Sequence, residues 1–198
     1  MGKHGNRAVF SRCGSADVPG NLGVKLDINH SNVEKCIREV GIGFIYAPLF
    51  QTAMKYAAEP RQEIGIRTIF NLLGPLTNPA GASAQVMGVY YAPDLTEKMA
   101  QVLERLGTRE AFMVCEEGTF DEISICGPAR VSHFKDGDVK ISALTPEDFG
   151  FGRATPDDIR GGSAQENARI IRKILDGGKG PRRDMVLLNA AAVFVQWV

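Results

Sequence analysis

The residues able to do chemistry are concentrated at the start of the chain, where Lys3, His4, Gly5, Asn6, Arg7, Ser11, Arg12, Gly14, Ser15 and Asp17 fall within fifteen positions. Few neighbours there can build a core. Lys3 offers a compact ammonium, and Asn6 and Ser11 offer neutral donors. Gly5 and Gly14 predict backbone N–H groups turned toward a ligand, and Ser15 predicts a helix N-terminus. Together these describe a cradle for phosphate or pyrophosphate; the alternative is a solvated basic loop. A second group is Asp121-Glu122, which follows a strand and the elbow Glu116-Glu117-Gly118-Thr119. Adjacent carboxylates suit Mg²⁺, which keeps most of its waters and needs only one or two protein oxygens. Acidic pairs are also plain surface charge, as Asp157-Asp158 is here, so the pair reads as a metal anchor only alongside a phosphate loop.

Arg61 and Arg67 form the third group. Six positions on a helix turn about 600°, a net rotation of about 120°, so the two cannot share a face. An arginine in a cleft is the bidentate partner of a carboxylate, and spacing does not say which of the two takes that role. His4, beside a lysine, fits a positioning hydrogen bond better than proton transfer. No Ser-His-Asp order, GxSxG, Walker loop or GxGxxG is present.

The elements that must position these residues alternate. Ser15 is expected to cap a short helix to Leu22, and Ser31 with Glu34 forms a capping box for a helix over 31–40. Residues 42–46 read as a buried strand. Helices are expected over 49–57 and 60–73, the second with Pro60 in its first position and Ile64, Ile69, Leu72 and Leu73 as its buried stripe. The prolines and glycines of 74–81 predict an irregular loop. Beyond it come a strand at 85–90, a helix at 94–106 with Leu95, Met99, Val102, Leu103 and Leu106 inward, and a strand at 111–115. A hairpin of 129–134 and 139–144 around Lys135-Asp136-Gly137-Asp138 follows, then helices at 163–176 and 183–195. The expected fold class is α/β, a central mixed sheet flanked by helices with part of a small helical domain inserted. The expected division is 1–47 as the first part of an α/β domain, 48–80 as helical segment and hinge, and 81–198 as the remainder.

Composition sets limits on function. The 23 basic and 23 acidic residues cancel, which argues against wholesale binding of nucleic acid or membrane surfaces. The four cysteines form no CxxC pair, so zinc is poorly supported and free thiols in a cytoplasmic setting are expected. No apolar run approaches the ~18 residues of a membrane span. The chain begins inside a dense motif and stops on Val193-Phe194-Val195-Gln196-Trp197-Val198, which predicts a piece of a longer protein.

Four blocks carry a resemblance: Lys3-His4-Gly5-Asn6-Arg7; Gly14-Ser15-Ala16-Asp17; the long run from Gly65-Ile66-Arg67-Thr68-Ile69-Phe70-Asn71-Leu72-Leu73 to Gly74-Pro75-Leu76-Thr77-Asn78-Pro79; and Leu187-Leu188-Asn189-Ala190-Ala191-Ala192. They closely resemble the anthranilate phosphoribosyltransferases, across essentially the whole chain. The resemblance implies transfer of a phosphoribosyl group from phosphoribosyl pyrophosphate to the amine of anthranilate, with Mg²⁺ as cofactor, in tryptophan biosynthesis. It implies that Lys3, His4, Gly5, Asn6, Arg7, Ala8, Val9, Phe10, Ser11 and Ser15 line the phosphoribosyl pyrophosphate site. It further implies that Asn6, Arg61 and Gly74 meet anthranilate, Arg61 gripping its carboxylate, and that Asp121 and Glu122 hold the metal. The family implies a homodimer, and neither nucleic acid nor membrane is an expected partner.

This chain departs from the family pattern. The Gly-Thr-Gly-Gly-Asp phosphate loop and the Asn-x-Ser-Thr segment usual upstream have no counterpart, so a half-site is expected. Phe10 and Cys13 replace smaller or hydroxyl residues, and Gln51 stands where many members carry histidine. Three rival readings are a catalytically incomplete fragment, a non-catalytic nucleic-acid-binding relative and a pyrimidine-nucleoside phosphorylase. Asp121-Glu122 and the neutral charge argue against the second of these, and the wording of residues 3–7 and 71–79 against the third.

Overall fold

A computed structural model describes residues 1–8, 12–64, 66, 68–90, 93–116 and 120–196, with the side chains of Lys55, Ala58, Glu59, Arg61 and Gln62 outside the description. The chain divides into two compact units. One comprises Met1–Gly81 with Gly161–Asp176, the other Ala82–Arg160 with Gly177–Val198.

In the first unit, β1 (Gly2–Gly5) runs parallel to β2 (Gly43–Tyr46), with Gly5 opposite Tyr46. Parallel strands need a crossover, and α1 (Asp17–Asn21) and α2 (His30–Val40) supply it. Gly43 lets α2 lie close, since a Cβ there would stand 2.7 Å from Ile37 Cγ1. The cap of α2 is Asn29, whose Oδ1 accepts from Asn32 N at 3.0 Å and from Ser31 Oγ at 2.9 Å. The expected Ser31–Glu34 box does not form, because Asn29 takes the capping site two residues earlier and Glu34 faces Arg38 at 3.8 Å. Gly41, with φ of 84°, ends the helix in the left-handed region that suits glycine.

The helical stretch differs from expectation. It forms α3 (Ala47–Phe50), a 3-10 turn (Thr52–Met54), α4 (Lys55–Ile64) and α5 (Phe70–Leu76). Pro60 lies inside α4 rather than at its start, and Pro75 lies inside α5, so 74–76 are helical and not loop. The single helix expected over 60–73 is thus two, and just ahead of the second Thr68 N donates to Asn71 Oδ1 at 3.0 Å. At the far end Gln51 Nε2 reaches Gly74 O at 2.9 Å, Thr77 O at 3.1 Å and Thr77 Oγ1 at 3.0 Å. That amide serves carbonyls a helix end leaves over. Ile64 and Ile69 are exposed, so the stripe predicted for this segment is not a buried one.

The second unit is a mixed four-stranded sheet in the order β3 (Ala84–Gly88), β4 (Glu110–Glu116), β5 (Ala129–Lys135) and β6 (Asp138–Leu144). β3 and β4 are parallel, the remaining pairs antiparallel. The hairpin turns on Asp136 and Gly137, with φ of 52° and 88°, the two-residue turn whose twist matches the strands. After β3 comes α6 (Leu95–Arg105), and after β6 the short α7 (Pro156–Ile159), begun by a capping box of Thr155 and Asp158. The chain then returns to the first unit for α8 (Ala164–Leu175), packed on α1 and started by a capping box of Ser163 and Glu166. It ends in the second unit with α9 (Pro181–Val195), against which α7 packs.

Helices α9 and α6 cover opposite faces of the four-stranded sheet. Val131 packs with Leu188 of α9, while its neighbour Ser132 bonds Thr96 of α6 at 2.8 Å. The buried face of α6 is Thr96, Met99, Ala100 and Leu103; Val102 and Leu106 are exposed, contrary to the predicted stripe. The prediction holds at Met99 and Leu103; the rest of the buried face is the small Thr96 and Ala100, which a count of large side chains passes over. No helix among the described residues is long and apolar enough to cross a membrane.

Candidate functional site

In the first unit, the loop after β1 is built around Asp17. Its Oδ2 accepts from Ala8 N at 3.0 Å and Gly14 N at 2.9 Å, and Oδ1 stands 3.6 Å from Arg7. Those two backbone N–H groups, then Arg7, hold its carboxyl below the usual carboxylate range. The loop ends meet at Asn6, where Ala16 N donates to Asn6 O at 2.9 Å and Asn6 N donates to Ser15 Oγ at 3.2 Å. A Cβ on Gly14 would overlap the Arg7–Ala8 backbone, so only glycine closes this turn.

Two expectations change. Gly14 N–H points at Asp17 and not outward, and Ser15 Oγ serves Asn6 rather than capping α1, whose N-cap is Ala16 with no side-chain bond. Lys3, Asn6 and Arg7 remain exposed. Arg7 is steadied by Tyr46 as well as Asp17, donating Nε–H to its hydroxyl at 3.2 Å with the guanidinium 5.9 Å from the ring centroid. His4 is half-buried, its Nε2 without a hydrogen-bond partner. Burial and then Lys3 lower its pKa, so the ring is neutral at pH 7. Val9, Phe10 and Ser11 lie outside the described residues. Gly74 stands in α5, under Gln51, and Arg61 lies in α4, its side chain outside the description, as is Arg67 altogether.

Asp121 and Glu122 belong to the second unit, just beyond the ends of the parallel strands β3 and β4, where ligands of α/β sheets commonly bind. Both residues are exposed, and their backbone is held from two sides. A Cβ on Gly88 would overlap Asp121 O, so strand and loop touch at bare backbone. On the other side Asn189 of α9 bonds both polar groups of Ile123: Oδ1 accepts from Ile123 N at 3.0 Å and Nδ2 donates to Ile123 O at 2.8 Å. Nearby, Glu116 is buried at the end of β4 with Oε2 unpartnered, and burial raises its pKa against a bond from Ser124. No group of three His, Cys, Asp or Glu is poised for a metal among the described residues. The donors offered are hard carboxylate oxygens on a fixed backbone, which fits Mg²⁺, since it needs only one or two such ligands, and not a softer ion.

Sequence reasoning assigned no role to Asp17, Tyr46, Gly88 or Asn189. The one available signal was Asn189, a carboxamide in an apolar stretch of helix beside Leu187 and Leu188, where a polar group turned toward the core needs partners.

Residues 1–197 match the glycosyl transferase family, a/b domain. The chain is 54% identical over 191 residues to an anthranilate phosphoribosyltransferase of Moorella thermoacetica, covering 96% of this chain and 56% of that protein. It is 55% identical over 196 residues to that of Desulfosudis oleivorans, covering 98% and 58%. Among solved structures it resembles the anthranilate phosphoribosyltransferase of Thermus thermophilus, with a TM-score of 0.88, 46% identity, and 98% and 57% covered. It also resembles the Saccharomyces cerevisiae enzyme in complex with PRPP and Mg, with a TM-score of 0.86, 31% identity, and 98% and 54% covered. The chain thus spans a little over half the length of the curated relatives it matches, and it belongs to the glycosyl transferase family through that family's a/b domain.

Proposed function

We propose that the chain serves an anthranilate phosphoribosyltransferase, binding phosphoribosyl pyrophosphate through the loop of residues 3–15 and Mg²⁺ through Asp121 and Glu122. The observation that carries the reading is the acidic pair itself: two exposed carboxylates whose backbone is fixed by Gly88 and Asn189, in a chain 54% identical to an enzyme of that name. Magnesium, when bound, supplies positive charge for the departing pyrophosphate.

The chain's own residues do the rest. Lys3, in β1, and Asn6, where the ends of the loop meet, are exposed, and Asp17 already fixes the backbone at Ala8 and Gly14, so less ordering at those two positions remains for phosphate binding. Arg61 takes the carboxylate of anthranilate, in the planar two-point manner a guanidinium allows, and Asn6 and Gly74 border the same substrate. The amine of anthranilate is an aniline nitrogen, neutral at pH 7, so no strong base is required. His4, whose pKa is lowered by burial and then by Lys3, is assigned a positioning role because the reaction asks for no strong base.

Calorimetry tests this. The 198-residue chain with Mg²⁺ is expected to bind phosphoribosyl pyrophosphate at millimolar concentration or better, and Arg61→Ala to weaken anthranilate binding while sparing the other substrate. No heat of binding for phosphoribosyl pyrophosphate would refute the site, and equal effects on both ligands would show that Arg61 has the wrong role.

A further inference from the structure

We infer that Asn189 is a positioning residue for the metal pair: its carboxamide grips Ile123 from both sides and so sets the backbone that carries Asp121 and Glu122. The inference rests on the reading of that pair as the Mg²⁺ anchor. Three bonds fix the carboxamide. Nδ2 donates to Ile123 O at 2.8 Å and to Met185 O, one turn back in α9, at 2.9 Å, while Oδ1 accepts from Ile123 N at 3.0 Å. The bonds to Ile123 reproduce with a side chain the two-point pairing of a β-ladder. The reversed amide would set its oxygen against two carbonyls and its NH₂ against an N–H, so only one orientation is allowed.

Asn189 is itself anchored. It follows Leu188, which is buried with Ile123, Val114 and Val131 in the core between α9 and the sheet. Ahead of Ile123, Asp121 O lies against the bare backbone of Gly88. Phe120 O, just ahead of Asp121, accepts from Glu116 N of β4 at 3.0 Å, so Asp121 and Glu122 are carried by contacts with β3 and β4 before them and with α9 after them. Mg²⁺ accepts little deviation from octahedral geometry at about 2.0–2.1 Å, so a ligand segment freed at one end binds it less well. Partners that orient metal ligands typically contribute about 10–100-fold to affinity. An aspartate at 189 would keep the bond from Ile123 N but turn an anionic oxygen toward Ile123 O and Met185 O.

The experiment titrates Mn²⁺, read by the electron paramagnetic resonance of the free ion, into the wild-type chain, Asn189→Ala, Asn189→Asp and the double variant Asp121→Asn/Glu122→Gln. Circular dichroism first establishes that each is folded at the titration temperature. Asn189→Ala and Asn189→Asp are expected to weaken Mn²⁺ binding at least about tenfold. Wild-type affinity in Asn189→Ala, with binding lost in the double variant, would overturn the clamp and leave the metal reading standing. Wild-type affinity in the double variant would overturn the metal reading itself. Should the Asn189 variants not fold, the wild-type chain decides by nuclear magnetic resonance. The Asn189 side-chain NH₂ and the Ile123 amide are expected to shift with Mg²⁺ along one saturation curve, and shifts confined to residues 120–122 would overturn the proposal.

Discussion

Replacing Asp17 by asparagine keeps the shape of the side chain and removes its charge, at the point where the loop of residues 6–17 is closed. The carboxylate accepts from Ala8 N at 3.0 Å and Gly14 N at 2.9 Å and faces Arg7 at 3.6 Å. A hydrogen bond to a charged group contributes about 1.5–3 kcal/mol. The Asp17 side chain is 18% exposed and Ala8 lies at the surface, so water replaces part of what is lost. An amide satisfies the two N–H donors through its oxygen less strongly, and it does nothing for Arg7. We therefore expect the loop to lose about 2 kcal/mol, a discount on the two-bond value for that exposure. A ligand that needs the ordered loop then loses up to about 30-fold in affinity, since each 1.4 kcal/mol is about tenfold. Calorimetry with phosphoribosyl pyrophosphate reads this directly. A second readout is acid stability. The Ala8 and Gly14 N–H groups, then Arg7, lower the folded pKa of Asp17, so its stabilisation is complete above the ordinary carboxylate range and is lost as pH falls through the lowered folded value. Asp17→Asn should lack that acid limb. Unchanged affinity together with an unchanged acid limb would refute the idea that Asp17 orders the loop.

Two further predictions concern groups near the site. Burial raises the folded pKa of Glu116, against a bond from Ser124, so the unfolded chain ionises first and stability falls as pH rises from the ordinary glutamate range through the raised value. Glu116→Gln cannot ionise; its urea midpoint should exceed wild type at pH 8 but not at pH 4, and a weaker variant at pH 8 would contradict the burial argument. Gln51→Ala strips a donor from Gly74 O and Thr77 O, a loss of about 1–1.5 kcal/mol. Exchange of the Thr77 amide, bonded to Leu73 O at 2.9 Å, should quicken about tenfold. An unaltered rate would mean that the end of α5 is held by other contacts.

The fold was legible where local chemistry decides it. Asp136-Gly137 between alternating strands specifies a two-residue turn, and the structure has both residues at positive φ. The mixed sheet followed from strands alternating with helices up to β4 and a hairpin after it. Legibility failed where preference was read as requirement. Proline favours the first turn of a helix, yet Pro60 and Pro75 both sit inside short helices, and α4 ends at Ile64 with no proline beside it. The stripe of α6 held at Met99 and Leu103 and failed at Val102 and Leu106, because counting large apolar residues overlooks the small Thr96 and Ala100 that share the buried face.

At the site, charged residues were legible as types, whereas the groups that hold them were not, and the reason is sequence separation. Asp17 lies 9 positions from Ala8, and Asn189 lies 66 from Ile123. No local pattern reports whether such pairs close. The consequence is sharpest for the loop. An N–H beside a glycine serves an external anion or the chain's own carboxylate, and composition reads the same in both cases. Here Gly14 N–H, expected to meet phosphate, serves Asp17, and Ser15 Oγ accepts from Asn6 N and donates to Asn6 O. In the proposed function that duty is assigned to Lys3 and Asn6, which are exposed. Asp17 holds Ala8 N and Gly14 N within the fold itself, so the cost of fixing those two positions is met in folding.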